Sequence, residues 1–442
     1  MLITNARLVN EGEIHEADLL IRDGRIASIA TSIDAPAGAG VFDANGLLLL
    51  PGMIDDQVHF REPGLTYKAD MATESRAALA GGITSFMDMP NTKPQTVSVD
   101  ALEDKYALAQ GRAWGNHAFY FGGTNDNLDE IRKLRPDQTC GIKVFMGAST
   151  GNMLVDDEET LRGIFSDAPM LIATHCEDTP MIKANEEQYR AEYGDEIPMR
   201  FHPLIRSAEA CYKSSSLAIE LASAYDARLH VLHLTTATEL EQFEAMPLGD
   251  KRITAEACVH HLYFDDRDYE RRDTFIKCNP AIKTEQDKLA IRQALADGRI
   301  DVIGTDHAPH TLEEKLSPSY FKAPAGLPLV QHALPMALEL YHDEVLSLAQ
   351  VVEKTAHAPA ELFGIVDRGY LREGYWADLV LVDIDSRVRV ERENVLYKCG
   401  WSPLEGEVLR SEVIATWVNG QPVYAHGRFS GAPEGMRLAF RR

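Results

Sequence analysis

Between residues 51 and 369 the chain alternates short apolar runs with amphipathic helical stretches, and few folds accommodate that rhythm. The apolar runs are residues 52–58, 83–87, 117–121, 142–146, 170–174, 229–234, 253–258 and 302–304. Helical patterns over 98–109, 156–165 and 207–224 fall between several of them. Strands that recur after helical crossovers pair in parallel. A count near eight favours an α/β fold closed into a (β/α)8 TIM-type barrel over an open doubly wound sheet. No GxGxxG follows a strand and no GxxxxGK[ST] loop occurs, so neither a dinucleotide nor a nucleotide-phosphate cradle is indicated.

The two ends read differently. Residues 2–9 and 17–29 alternate apolar and polar side chains around Asn-Glu-Gly and Asp-Gly turn signals, as antiparallel strands do. Residues 377–382 and 412–418 repeat that style, and Asn419-Gly420 is a strong hairpin signal before residues 421–424. The expected organisation is a small composite β-sandwich-like domain from residues 1–50 with 370–442, flanking a catalytic barrel over 51–369.

Forty-four basic residues against sixty-eight acidic ones give a net charge of -24, which disfavours nucleic acid or an anionic membrane as partner. A small anionic substrate would need a local cationic pocket. Six cysteines without CxxC spacing suit a reducing compartment. The N-terminus lacks a basic stretch leading into an unbroken apolar one, and no apolar run reaches membrane-spanning length. The expectation is a cytoplasmic protein acting on a small molecule, with self-association into a homo-oligomer left open.

Reactive side chains recur at the C-terminal ends of the strand runs: His59, Lys143, His175, His233 and Asp306. In a barrel those ends converge on one face, so residues distant in sequence share a site. A single strand-end histidine is more often structural, but five suitable groups at equivalent places reverse that judgement. Imidazole and carboxylate ligate zinc-like ions, which lower the pKa of bound water and so supply the nucleophile that amide hydrolysis needs. An ammonium cannot ligate, but a lysine carboxylated by CO2 offers an anionic oxygen pair. Lys143, in an apolar Gly-Ile-Lys-Val-Phe-Met strand, is placed for that modification; the alternative is an ordinary ion pair.

With these residues in view, the chain resembles the cyclic amidohydrolases of the amidohydrolase superfamily, essentially from end to end. The Pro51-Gly52-Met53-Ile54-Asp55 stretch followed by Val58-His59-Phe60-Arg61-Glu62-Pro63-Gly64 is similar to that family's first-strand metal motif. Met89-Pro90-Asn91-Thr92 resembles its second-strand substrate loop, Lys-Val-Phe-Met its carboxylated-lysine strand, and Thr305-Asp306-His307-Ala308-Pro309-His310 its last-strand motif. His175 and His233 fall where the next two histidine ligands lie. Arg61, two places after His59, points within the superfamily to the dihydroorotases. The resemblance implies a metal-dependent cyclic amide hydrolase that interconverts N-carbamoyl-L-aspartate and L-dihydroorotate in pyrimidine synthesis. One or two Zn2+ ions would sit on His59, Lys143, His175, His233, Asp306 and Gln57, with Lys143 carboxylated by CO2. Asp306 would move the proton. Arg61, Asn91, Asn279, His310, Ala325 and Gly326 would hold substrate. The chemistry agrees: guanidinium offers paired donors to a carboxylate, and asparagine amides donate to and accept from a cyclic imide. Residues 398–403 also look dihydroorotase-like, without an assigned role.

One departure matters. The family's first motif has two histidines separated by one residue, and here the first is Gln57. A neutral amide oxygen is a weaker zinc ligand than imidazole. Lys143, His175 and His233 still give three ligands with an open position, enough for one ion. The competing readings are a noncatalytic relative that binds another pathway enzyme, and a hydantoinase or allantoinase. Of the other candidates, His230 is expected to face away from His233, His260 and His261 are not assigned to metal, Cys176 reads as a buried thiol, and residues 178–206 read as an insertion near the mouth.

Overall fold

The computed structural model describes residues 1–147 and 153–442. Its centre is a parallel barrel. The first strand, Met53–Val58, pairs with Ile83–Asp88, which pairs with Asn116–Phe119. That third strand breaks at Tyr120 and resumes at Phe121–Gly122, then continues through Ile142–Phe145, Ile172–His175, Leu229–Val231, Ile253–Cys258 and Val302–Gly304, all parallel. Counting the broken strand once, the described residues supply eight strands. Closure comes where the last strand runs past the first: His59 N–H donates to His307 carbonyl at 2.7 Å, and the Thr305 hydroxyl donates to Asp55 at 2.6 Å.

The barrel strands are buried along their length, as expected when helices cover the outer face and side chains fill the inside. Crossover helices begin where the sequence supplies caps. Val99–Ala109 starts after Ser98, whose hydroxyl accepts from Ala101 N–H; Ala208–Tyr225 starts after Ser207, which does the same for Ala210. Replacing such a cap with alanine costs about 1 kcal/mol. The expected sixth-strand run to residue 234 ends earlier, at Val231, because His233 adopts a positive φ of 40° that turns the chain out of the ladder.

A separate, mostly antiparallel sheet of nine strands forms the small β domain, and both chain ends contribute to it. Leu48–Pro51 lies between Leu2–Asn10 and Leu379–Asp383, with Leu49 opposite Leu381 and Leu50 opposite Val380. Glu412–Val418 and Gln421–Ala425 form the hairpin signalled by Asn419-Gly420, whose φ values of 50° and 78° are those of a turn matching strand twist. Trp417, Leu19, Leu49 and Leu381 pack this sheet's own core, and Pro51 passes directly into the first barrel strand. No helix among the described residues is long and apolar enough to cross a membrane.

Candidate active site

A cavity of about 310 Å³ opens at the C-terminal ends of the barrel strands. Every site residue expected from the sequence lines it: Gln57, His59, Arg61, Asn91, Lys143, His175, His233, Asn279, Asp306, His310, Ala325 and Gly326. Three of these, Arg61 (φ 67°), His233 (φ 40°) and Asp306 (φ 49°), hold left-handed backbone that costs a non-glycine residue energy. Strain of this kind persists where surrounding structure imposes it, and here it aims three side chains into one pocket.

At the closed end, Lys143 is fully buried and its Nζ has no hydrogen-bond partner among the described residues. Burial pulls its ammonium down to about 8, so a neutral amine able to react with CO2 is within reach near physiological pH. His175 and His233 face each other, Nδ1 to Nε2, at 3.0 Å. His175 Nε2 meets Glu177 Oε2 at 2.9 Å; a carboxylate only accepts, so the imidazole carries its proton there and turns the Nδ1 lone pair inward. Burial alone would raise the Glu177 carboxyl, yet Arg206 and His175 hold it down at about 2. These features fit a cation held by a modified lysine and two imidazoles.

Across the cavity, His59 Nε2 lies 3.1 Å from Asp306 Oδ1, and its Nδ1 lies 2.8 Å from Asn91 Oδ1. Gln57 does not present its oxygen here. Its Nε2 donates to Asp306 Oδ1 at 3.0 Å, while Oε1 faces the Cys258 thiol at 3.9 Å. The geometry therefore favours Gln57 as a donor that anchors Asp306 over the ligand role expected of it.

The outer wall is cationic. Arg61 is buried, donates from Nε to Pro309 carbonyl at 3.0 Å, and brings Nη2 within 3.1 Å of His310 Nε2. Burial lowers its pKa, the mark of a charge that gains from an anionic partner. It does not pair with Glu62, which binds Arg112 instead. Lys68 Nζ approaches His310 Nδ1 at 2.8 Å from behind. Asn279 Oδ1 is buried with no hydrogen-bond partner among the described residues, an acceptor left for something in the cavity. Gly326 has φ 142°, and a Cβ there would come within 2.4 Å of Ala308 carbonyl, so only glycine lets this loop close over the ring of His310.

Sequence reasoning missed Phe145 and Arg206, which also line the cavity, and Glu177 and Lys68 behind it. Glu177 was findable, since a residue two after a strand-end ligand shares its side. Arg206 was not, because it closes the segment 178–206, which folds as the helix Thr179–Tyr193 followed by short turns Met199–Phe201 and His202–Ile205 at the mouth. The unassigned 398–403 stretch acquires a role: Trp401 Nε1 donates to His310 carbonyl at 2.8 Å and fixes that loop. Cys176 is a buried thiol pushed up to about 12. His230, His260 and His261 do not line the cavity.

Barrel, strand-end donors and cationic wall together form a candidate active site at the face where (β/α)8 scaffolds carry their chemistry. The chain belongs to the Amidohydrolase family, whose sequence profile matches residues 48–423. It is 33% identical over 417 residues to a dihydroorotase from Methanosarcina acetivorans, covering 91% of this chain and 88% of that protein. It is 32% identical over 449 residues to an allantoinase from Deinococcus radiodurans, covering 99% and 98%. The solved L-hydantoinase (dihydropyrimidinase) from Arthrobacter aurescens superposes with a TM-score of 0.94 at 28% identity, covering 99% of both chains.

Proposed function

We propose that this chain is a dihydroorotase, interconverting N-carbamoyl-L-aspartate and L-dihydroorotate for pyrimidine synthesis. The observation that carries the reading is Arg61, a buried guanidinium in the cavity wall beside Asn91, Asn279 and His310. Dihydroorotate bears a carboxylate that such a group binds through paired donors; hydantoins and allantoin do not.

In this reading Lys143, carboxylated by CO2, holds a divalent ion with His175 and His233, and His59 with Asp306 offers a second place for one. Zinc suits nitrogen and carboxylate donors. When bound, the ion supplies Lewis acidity and lowers the pKa of water at the reacting carbonyl. Arg61 takes the substrate carboxylate, Asn279 Oδ1 accepts from the ring N–H, and Asn91, His310 and the backbone of Ala325 and Gly326 fix the ring, which turns binding into correct approach. Asp306 Oδ1 is occupied by Gln57 and His59, leaving Oδ2 to accept the proton of the attacking water and deliver it to the departing ring nitrogen.

The allantoinase and hydantoinase relatives motivate a second reading, a carboxylate-free cyclic amide as substrate. Assays with carbamoyl aspartate, dihydroorotate, allantoin and hydantoin on zinc- and bicarbonate-treated protein separate the two. Turnover of the first pair alone supports the dihydroorotase; no turnover of any substrate despite bound metal sinks the enzymatic reading.

A further inference from the structure

Beneath the cavity floor, three strands place Asp56, His230 and Glu256 together, with ligand atoms all within 4.8 Å of one another. All three side chains are fully buried. None lines the cavity, and none is among the groups assigned above to substrate or ion. His230 does turn away from the pocket, but into the barrel interior. A register irregularity between Asp55 and Val58 lets Asp56 face inward as well.

The hydrogen-bond bookkeeping at this cluster does not close. His230 Nδ1 meets the Thr254 hydroxyl at 2.8 Å, and that hydroxyl donates onward to Leu229 carbonyl, so Nδ1 carries the imidazole proton. Nε2 then faces Asp56 Oδ2 at 3.1 Å, a nitrogen and a carboxylate oxygen that need a second proton or a cation between them. Asp56 Oδ1 and Glu256 Oε2 have no partner among the described residues. Gly304 leaves the room into which they point: a Cβ there would lie 2.8 Å from Glu256 Oε2 and 2.9 Å from Asp56 Oδ1. Unmatched buried carboxylates are costly, and a divalent cation neutralises two of them while satisfying every open lone pair.

We propose that Asp56, His230 and Glu256 bind a buried divalent transition-metal ion, distinct from any ion in the cavity above. One nitrogen and two carboxylate ligands suit zinc or a similar ion. Its role is positioning. Glu256 Oε1 accepts from the backbone N–H of His233 at 3.0 Å, so an ion fixing Glu256 also fixes the strained residue that faces His175. It ties the first, sixth and seventh strands together under the site.

The test is crystallographic and uses the wild-type protein, purified from zinc-supplemented culture and measured on both sides of the zinc absorption edge. The expected result is an anomalous peak between Asp56 Oδ1, His230 Nε2 and Glu256 Oε2. Well-ordered side chains with no peak there mean shared protons instead, and overturn the proposal. In solution, Asp56→Asn with Glu256→Gln should lower zinc content by roughly one equivalent per chain by mass spectrometry, and unchanged stoichiometry overturns it equally. Lys143→Ala keeps the buried peak while removing the ion held with His175 and His233, which separates failure here from failure of the proposed function.

Discussion

The amide nitrogen of Gln57 stands 3.0 Å from Asp306 Oδ1, across the seam where the last barrel strand meets the first. An imidazole at position 57 exchanges that donation for a ligating nitrogen. Gln57→His is expected to raise zinc bound in the cavity by up to roughly one equivalent. Metal analysis of the two purified proteins decides it, and equal content would show that position 57 cannot complete a second site.

Arg61 divides the substrate classes. Arg61→Met removes the guanidinium while keeping length and burial, so kcat/KM for dihydroorotate should fall on the order of 100-fold, the loss of a charge-assisted paired contact. Any turnover of hydantoin or allantoin should stay within about threefold. Equal losses on all substrates would mean that Arg61 supports the pocket and does not read a carboxylate.

Lys143 is drawn down to about 8 by burial, which keeps a usable fraction of neutral amine at pH 7 to 8. Protein held in CO2-free buffer with a chelator should lose activity, and bicarbonate with zinc should restore it. Lys143→Arg should be inactive by roughly 1,000-fold or more and indifferent to bicarbonate. Restoration by zinc alone in CO2-free buffer would remove the carboxylated lysine from the mechanism.

Glu239 offers a pH test away from the site. Burial pushes its carboxyl up from 4.5 to about 7, against the opposing pull of the Thr236 hydroxyl, which donates to it at 2.8 Å, and of the Lys283 charge. Between those values the folded chain binds a proton that the unfolded chain has lost, so this residue's contribution makes stability fall as pH rises from about 4.5 to about 7, then level off. Glu239→Gln should abolish that slope and stabilise the protein at pH 8 by on the order of 2 kcal/mol. Denaturant unfolding of both proteins at pH 5 and 8 measures it; an equal difference at the two values would place the effect elsewhere.

Gly326→Ala forces a Cβ against Ala308 carbonyl at a φ that side chains rarely adopt. The loop must retreat from His310, and KM should rise about tenfold with a smaller change in kcat. A kinetically silent alanine would show that this loop does not approach substrate.

Much of the barrel is legible in the sequence because parallel strands covered on both faces become continuous apolar runs. Residues 253–258 and 302–304 read correctly to the residue. The sixth strand reads too long because its last residues stay apolar while His233 leaves the ladder, a backbone event that hydropathy does not record. Of the cavity's groups, His59 and His175 are legible because each sits one step beyond a run, whereas Lys143 and His233 lie within runs and Asp306 two steps past one. Arg206 reaches the cavity from a helical excursion, and Trp401 acts through a backbone carbonyl ninety-one residues away in sequence, so neither leaves a local trace. Gln57 is a subtler case: its identity announces a change, but which end of the amide turns inward depends on Asp306.

The strand at residues 48–51 has its neighbour Leu379–Asp383 at the far end of the chain. During synthesis the opening strands leave the ribosome with one flank bare, and they wait until nearly the whole polypeptide has been made. Closing so long a loop is slow and entropically expensive, which leaves an apolar edge at risk of pairing with the wrong chain. Folding yield in the cell should therefore depend on the last seventy residues, although none of them lines the cavity.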